Sequence, residues 1–432
     1  MRDIEWVKES VFYHIYPLGA FDCPRENIGE KSAGSRILKL IDWLPHLVDL
    51  GVNAIYLGPI MESGTHGYDT WDYYKIDSRL GTNDDFKKVV KECHKQGIKV
   101  VLDGVFNHVG RGHFAFKDVL NNRERSQYKD WIAGLNFGGN NWHNDGLSYE
   151  CWSGAEELVK LNHWCQDVDN HILNAVGMWI DEFDIDGLRL DAADCIERGF
   201  FNRLKSFTEK KKASFWLMGE IIHGDYNIYV NENMLDAVTN YECWKGIYSS
   251  HNDHNHFEIN YAMKRQWGQG GLYSGKYLYN FIDNHDVNRI ATLLTDKDNI
   301  YPVYTLLFTM PGIPSIYYGS EWGISGDKKS GDGDYALRPA IDVDKMINNN
   351  PDLIDHIKML ADIRKNSRAL IEGAYEEVQV KNETLVFARC HASEYVIVAL
   401  NNTASEKPIS FNYRGQQFDF VLPAHGSHII RR

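Results

Sequence analysis

The chain has 432 residues, 43% of them hydrophobic, and a formal net charge of −14. That length holds roughly two or three domains, or one large barrel with an appendage. The acidic balance argues against nucleic acid and anionic membrane surfaces as partners, since both need a basic patch, and makes a neutral substrate the expectation. Seven cysteines (Cys23, Cys93, Cys151, Cys165, Cys195, Cys243 and Cys390) follow neither a zinc-site nor a CxxC spacing. Reduced thiols and a cytoplasmic location are therefore expected. The stretch MRDIEWVKESVFYHIYP lacks the basic and then apolar pattern of a signal peptide, and no apolar run approaches the ~20 residues of a membrane span.

In chain order, Val11 to Tyr16 reads as a first buried strand. Ile37, Leu40, Ile41, Leu44, Leu47 and Val48 recur at helical spacing, with Gly51 at the usual C-terminal position. Val52 to Leu57 is the next strand. Thr82 or Asn83 can cap a second helix with Phe86, Val89, Val90 and Cys93 on its apolar face, and Gly97 ends it before a third strand, Ile98 to Phe106. The rhythm returns as a helix over Val168 to Phe183, a strand at Ile185 to Leu190, a helix near Phe200 to Lys211 and a strand at Phe215 to Gly219. Ala237 to Asn240, Tyr277 to Ile282 and Ile313 to Tyr318 bring the strand count to eight. Strands alternating with helical patterns indicate a parallel sheet, and eight of them favour a closed (β/α)8 barrel over an open sheet. Residues 1–108 and 168–368 are assigned to this barrel. Residues 109–167, rich in Gly, Asn and aromatics, are too long for a simple βα loop and read as a small inserted domain. Residues 369–432 alternate apolar and polar with turns between, as expected for a C-terminal antiparallel β domain.

Four acids close apolar strands of this pattern: Asp103, Asp191, Glu220 and Asp286. Catalytic groups of a β/α barrel come from the C-terminal ends of different strands. Acids without an evident Ser or Cys nucleophile point to glycoside hydrolysis. Arg189 and Asp191, two apart on a strand, share a face. The guanidinium is expected to lower the Asp191 pKa and keep it ionised, although a structural ion pair would look the same. Glu220 follows the apolar run Phe215 to Met218, surroundings that tend to keep a carboxyl protonated as a general acid. An ordinary strand-end acid reads alike. His108, beside Asp103, and His285, beside Asp286, can hold sugar hydroxyls, and Tyr68 can offer a stacking ring. His66 with Asp69, and His108 with His113, do not form a close transition-metal ligand set, so no metal residues are assigned.

The ordered stretches DGVFNH at 103–108, GLRLDAAD at 187–194, GEIIH at 219–223 and FIDNHD at 281–286 resemble the four core motifs of the α-amylase superfamily, glycoside hydrolase family 13. GYDTWDYYKID at 67–77 and GIPSIYYGSEWG at 312–323 are similar to that family's stretches at its second and eighth strands. LVKLN at 158–162 is similar to the MPKLN motif of the neopullulanase, cyclomaltodextrinase and maltogenic amylase group. The resemblance implies a retaining hydrolase of α-1,4-glucosidic bonds in maltooligosaccharides, cyclodextrins or starch-derived α-glucans. It implies Asp191 as nucleophile, Glu220 as general acid/base and Asp286 as transition-state stabiliser. Tyr68, Asp103, His108, Arg189 and His285 would bind the reacting sugar. A glucanotransferase or an α-glucosidase of the same family is the alternative, and a non-catalytic glucan-binding member the remote one. No cofactor is required. A structural calcium at Asn107 is left open, as is the oligomeric state.

Overall fold

The computed structural model describes residues 4–29, 34–346, 349–392 and 394–432. Eight short parallel strands form its centre: β1 Phe12–Ile15, β2 Ala54–Leu57, β3 Lys99–Gly104, β4 Gly187–Leu190, β5 Trp216–Gly219, β6 Ala237–Val238, β7 Tyr279–Phe281 and β8 Ile313–Tyr317. They hydrogen-bond in the order β6-β5-β4-β3-β2-β1-β8-β7. A parallel bridge between Thr239, just past β6, and Tyr279 of β7 joins the two ends. The sheet is thus a closed (β/α)8 barrel followed by an antiparallel C-terminal part, as the strand count led us to expect.

The barrel is built by period-two alternation. Phe12, Ala54, Val101, Trp216, Met218, Ala237, Tyr279 and Ile313 fill the interior as one buried cluster. Their neighbours, including Tyr13, Ile55, Leu102, Leu188 and Leu217, face outward against the helices in the larger core. Burial on both faces explains why the strands read as near-continuous apolar runs.

The helix Asn83–Lys95 starts where the sequence indicates, because Thr82 and Asp85 form a reciprocal capping box. It buries Phe86, Val89, Val90 and Cys93. Thr82→Ala removes one half of that box and is expected to cost about 1 kcal/mol, seen as a lower urea midpoint at unchanged slope. After Gly51 (φ +80°) and Gly97 (φ +74°) the chain turns from helix into strand, a left-handed conformation that glycine adopts without steric cost.

After β3 the chain leaves the barrel. His108–Gly110 pairs with Ala155–Lys160, which pairs with Cys151–Trp152, and Phe114–Asn122 is a helix between them. This small sheet sits beside the C-terminal end of β3. At the other end of the sequence, Ala374–Val380, Thr384–His391, Glu394–Asn401 and Ser427–Arg431 form a four-stranded antiparallel sheet over the hairpin Lys407–Tyr413 and Gln416–Leu422. Val386, Ala388, Ile397, Ile409, Phe411 and Leu422 make its own core. Buried Arg389 ties it to the barrel by donating to the Thr309 carbonyl at 2.9 Å. All seven cysteines are free thiols, and no described helix is long and apolar enough to cross a membrane.

Candidate active site

The alternation that fills the barrel also aims the site. Continuing the inward register past Phe12, Ala54 and Val101 brings in His14, Tyr56 and Asp103. On β4 the register places Arg189 inward beside Asp103, and the next inward position is Asp191. Past Met218 of β5 it is Glu220. These groups meet at the C-terminal ends of the strands, where barrel active sites lie.

Arg189 is the hub. It is 2% exposed, and its Nη1 lies 2.8 Å from Asp103 Oδ1 and 2.9 Å from Asp191 Oδ1. Its Nη2 lies 2.7 Å from Glu220 Oε1. One guanidinium therefore binds three carboxylates that come from two other strands and its own. Tyr56 donates its hydroxyl to Asp103 Oδ2 at 2.8 Å, and Tyr68 does so at 3.2 Å. Tyr241 donates to Glu220 Oε1 at 3.2 Å, and the Ala192 amide to Oε2 at 3.3 Å.

Asp286 is held by a different pair of partners. Its Oδ2 is 3.0 Å from His285 Nε2, and its Oδ1 accepts from Arg338 Nη2 at 2.9 Å. The Tyr68 hydroxyl also contacts His285 Nε2, so one ring links Asp103 to His285. The Tyr68 and His285 rings are stacked, with centroids 5.5 Å apart. His108 Nε2 is buried without a hydrogen-bond partner and lies 3.9 Å from Asp191 Oδ2. A buried imidazole nitrogen left open beside a carboxylate is a natural place for a ligand hydroxyl.

Electrostatics correct the sequence reading in two places. Arg189 was expected to hold Asp191 low. Burial instead pushes Asp191 well above the usual carboxylate range; Arg189 opposes this, while Glu220 and Asp103 add to it. Burial is the largest cause, and one guanidinium shared among three acids does not offset it. The expected apolar pocket for Glu220 is also not found. The apolar residues before it point into the barrel or the helix layer, while the carboxyl itself meets Arg189, Tyr241 and a backbone amide.

The other groups have clear directions. Enclosure works to raise the Asp286 carboxyl, but His285, Arg338 and Arg189 outweigh it and hold it below the ordinary carboxylate range. Burial, helped by His66, lowers His108 to about 3, so it is a neutral hydrogen-bonding group at neutral pH. Burial and the neighbouring His285 and Arg189 charges likewise push His14 far down.

All eight sequence-derived site residues (Tyr68, Asp103, His108, Arg189, Asp191, Glu220, His285 and Asp286) thus converge. His14, Tyr16, Tyr56, Tyr241 and Arg338 belong to the same network and were missed. His14 and Tyr56 sit on strands at inward positions, so the rule applied to the acids could have found them. Arg338 follows a long loop after β8, and no local pattern marks it. His113 turns out to cap the helix Phe114–Asn122. Asn107 Oδ1 is buried and unpartnered, as a calcium ligand would be. Calcium takes six to eight oxygens, however, and no three His, Cys, Asp or Glu side chains converge at Asn107 among the described residues. The group that does converge is Asp296, Asp298 and His425, on other elements.

Residues 36–338 match the family model described as alpha amylase, catalytic domain. The chain belongs to the α-amylase family. It is a glycoside hydrolase of a family that acts on α-glucans, as the four motifs implied. A cyclomaltodextrinase of Geobacillus thermopakistaniensis is 31% identical over 95% of this chain and 72% of its own length. An intracellular maltogenic amylase of Bacillus subtilis is 28% identical, covering 92% of the chain and 69% of the relative. Among solved structures, a cyclic α-maltosyl-(1→6)-maltose hydrolase from Arthrobacter globiformis superimposes with a TM-score of 0.85 at 28% identity, covering 99% of each chain.

Proposed function

We propose that this α-amylase family enzyme cleaves α-1,4-glucosidic bonds in short α-glucans (maltooligosaccharides, cyclodextrins or starch fragments) with retention at C1. Asp191 is the nucleophile, Glu220 the general acid/base and Asp286 the stabilising carboxylate. Asp103, Arg189, His108, His285 and Tyr68 hold the reacting ring. The observation that carries the reading is the single guanidinium bridging Asp191 and Glu220. Carboxyls held on one guanidinium fit the ~5–5.5 Å separation of retaining enzymes better than the ~6.5–9.5 Å of inverting ones.

Burial raises Asp191, and Arg189 opposes that rise. The reaction requires Asp191 as the carboxylate and Glu220 as the protonated acid. Glu220 gives its proton to the departing glycosidic oxygen while Asp191 attacks C1, forming a covalent glycosyl ester. Glu220, now ionised, takes a proton from water as the water displaces Asp191. Asp286, kept anionic by His285 and Arg338, accepts hydrogen bonds from ring hydroxyls as positive charge develops at the anomeric centre. The three domains are assigned as 1–108 with 168–368, 109–167 and 369–432. A cytoplasmic location is supported by the intracellular Bacillus subtilis relative.

The test is stereochemical. Purified protein acting on maltoheptaose, followed by proton NMR before mutarotation, is expected to release the α-anomer first. Initial release of the β-anomer, or no cleavage of maltoheptaose, β-cyclodextrin, pullulan or soluble starch, rejects the reading.

A further inference from the structure

Glu220 is held by more than the guanidinium. Tyr241 is the first residue of the helix Tyr241–Asn252, a short step past β6. Fully buried Asn240 fixes that start: its side chain accepts from the Cys243 amide at 3.3 Å and donates to Asn280 of β7 at 2.8 Å. The Tyr241 ring packs edge-on against Phe281 of β7, with centroids 4.9 Å apart, and against Trp244 at 5.9 Å. Tyr241 and Asn284 are both buried.

The direction of every proton along this contact is determined. Asn284 Oδ1 accepts from the backbone amides of Asp286 at 2.8 Å and Val287 at 3.1 Å. Those amides can only donate, so the side-chain oxygen stays on their side and Nδ2 faces Tyr241. Nδ2 donates to the Tyr241 hydroxyl oxygen at 3.0 Å. An NH2 group accepts nothing, so the hydroxyl hydrogen goes to Glu220 Oε1 at 3.2 Å. Arg189 Nη2 stands 2.7 Å from the same oxygen. Oε1 thus faces two donors, and Oε2, among the described residues, the Ala192 amide alone at 3.3 Å. A carboxylic acid with two donors on one oxygen carries its own hydrogen on the other. Burial, with Glu220 and Asp286 adding to it, raises the Tyr241 hydroxyl well above its ordinary value, so it stays a donor across the working pH range.

We propose that Tyr241, aimed by Asn284, is a positioning residue for the general acid: it fixes the transferable proton on Glu220 Oε2 and tightens its own bond to Oε1 as that proton leaves. Hydrogen bonds to an ionised group are roughly twice as strong as those between neutral groups. The bond therefore stabilises the transition state of proton transfer more than the ground state. The role depends on Glu220 being the acid, as in the hydrolase reading above.

The experiment measures kcat/KM against pH on maltoheptaose and on a dinitrophenyl α-maltoside, for wild type, Tyr241→Phe and enzyme with fluorotyrosine placed at position 241. Tyr241→Phe is expected to lower kcat/KM on maltoheptaose by ~10–100-fold, the usual worth of a hydrogen bond to a charged group. On the dinitrophenyl substrate, whose leaving group departs without a proton, the loss is expected to be several-fold smaller. Removing a donor disfavours the ionised acid, so the alkaline limb on maltoheptaose moves to higher pH. The fluorinated ring is a stronger donor and moves that limb to lower pH. Equal losses on both substrates, or limbs that stay in place or move the same way in the two enzymes, show that the ring only packs and overturn the proposal. The fluorinated enzyme keeps the whole side chain and decides the matter if Tyr241→Phe melts early. No cleavage by wild type, or initial release of the β-anomer, overturns the hydrolase reading and this role with it.

Discussion

Asp191→Asn is expected to lower kcat on maltoheptaose by at least ~10⁴-fold, because a neutral amide cannot form the glycosyl ester and the route is lost. Glu220→Gln is expected to lower it by ~10²–10⁴-fold, the usual worth of a positioned proton donor. The two losses differ in kind. A maltosyl substrate with a dinitrophenolate leaving group needs no protonation to depart. Glu220→Gln should therefore regain most of its first step on that substrate, seen as a burst of dinitrophenol, whereas Asp191→Asn should show none. Both variants should keep the wild-type melting temperature or exceed it, since each removes one charge from a site holding three acids on one guanidinium. Most activity retained in either variant, or a burst with Asp191→Asn, would remove these roles.

Arg189→Met is expected to be strongly destabilising. It leaves Asp103, Asp191 and Glu220 facing one another in a site where Arg189 is buried. Breaking a buried pair by removing one partner costs about 3–5 kcal/mol, and here three partners are stranded. The sign with pH follows from linkage. Burial already raises Asp191 and Arg189 opposes the rise, so without the guanidinium its folded-state pKa climbs further above its unfolded value and the folded state binds more protons. The variant is then most stable at low pH, and loses stability as pH rises from the unfolded carboxylate range through the raised folded value. Adding Asp103→Asn to Arg189→Met should restore part of the loss, because it removes a stranded charge without changing shape. Thermal melts of wild type, single and double variants between pH 4 and 8 would read this. A pH-independent loss with no rescue would mean that packing of the long side chain, not charge, is what Arg189 supplies.

The fold was legible because it depends on local chemistry. A strand buried on both faces must be apolar throughout, a helix on a barrel must be apolar on one stripe, and Gly51 and Gly97 mark where one turns into the other. Period two also put Arg189 and Asp191 on one face before any tertiary information was used, and they meet at 2.9 Å. The motifs around Asp103, Glu220 and Asp286 then named the right strand ends. What the chain alone got wrong was environment. Phe215 to Met218 precede Glu220 in sequence, yet the carboxyl is surrounded by Arg189, Tyr241 and the Ala192 amide.

The sequence by itself therefore determined the eight-stranded barrel, the strand ends that carry the acids, and the family to which the chain belongs. Only the tertiary structure decided which groups share a charge. Pairing of neighbouring strands brings Asp103, Asp191 and Glu220 onto one guanidinium, places Arg338 on Asp286, and joins Arg25 to Tyr335 across more than three hundred residues of chain. Periodicity reports which face of its own element a residue occupies. The pKa of a buried group and the shape of a pocket depend on charges and walls supplied by other elements, at distances that no local pattern encodes.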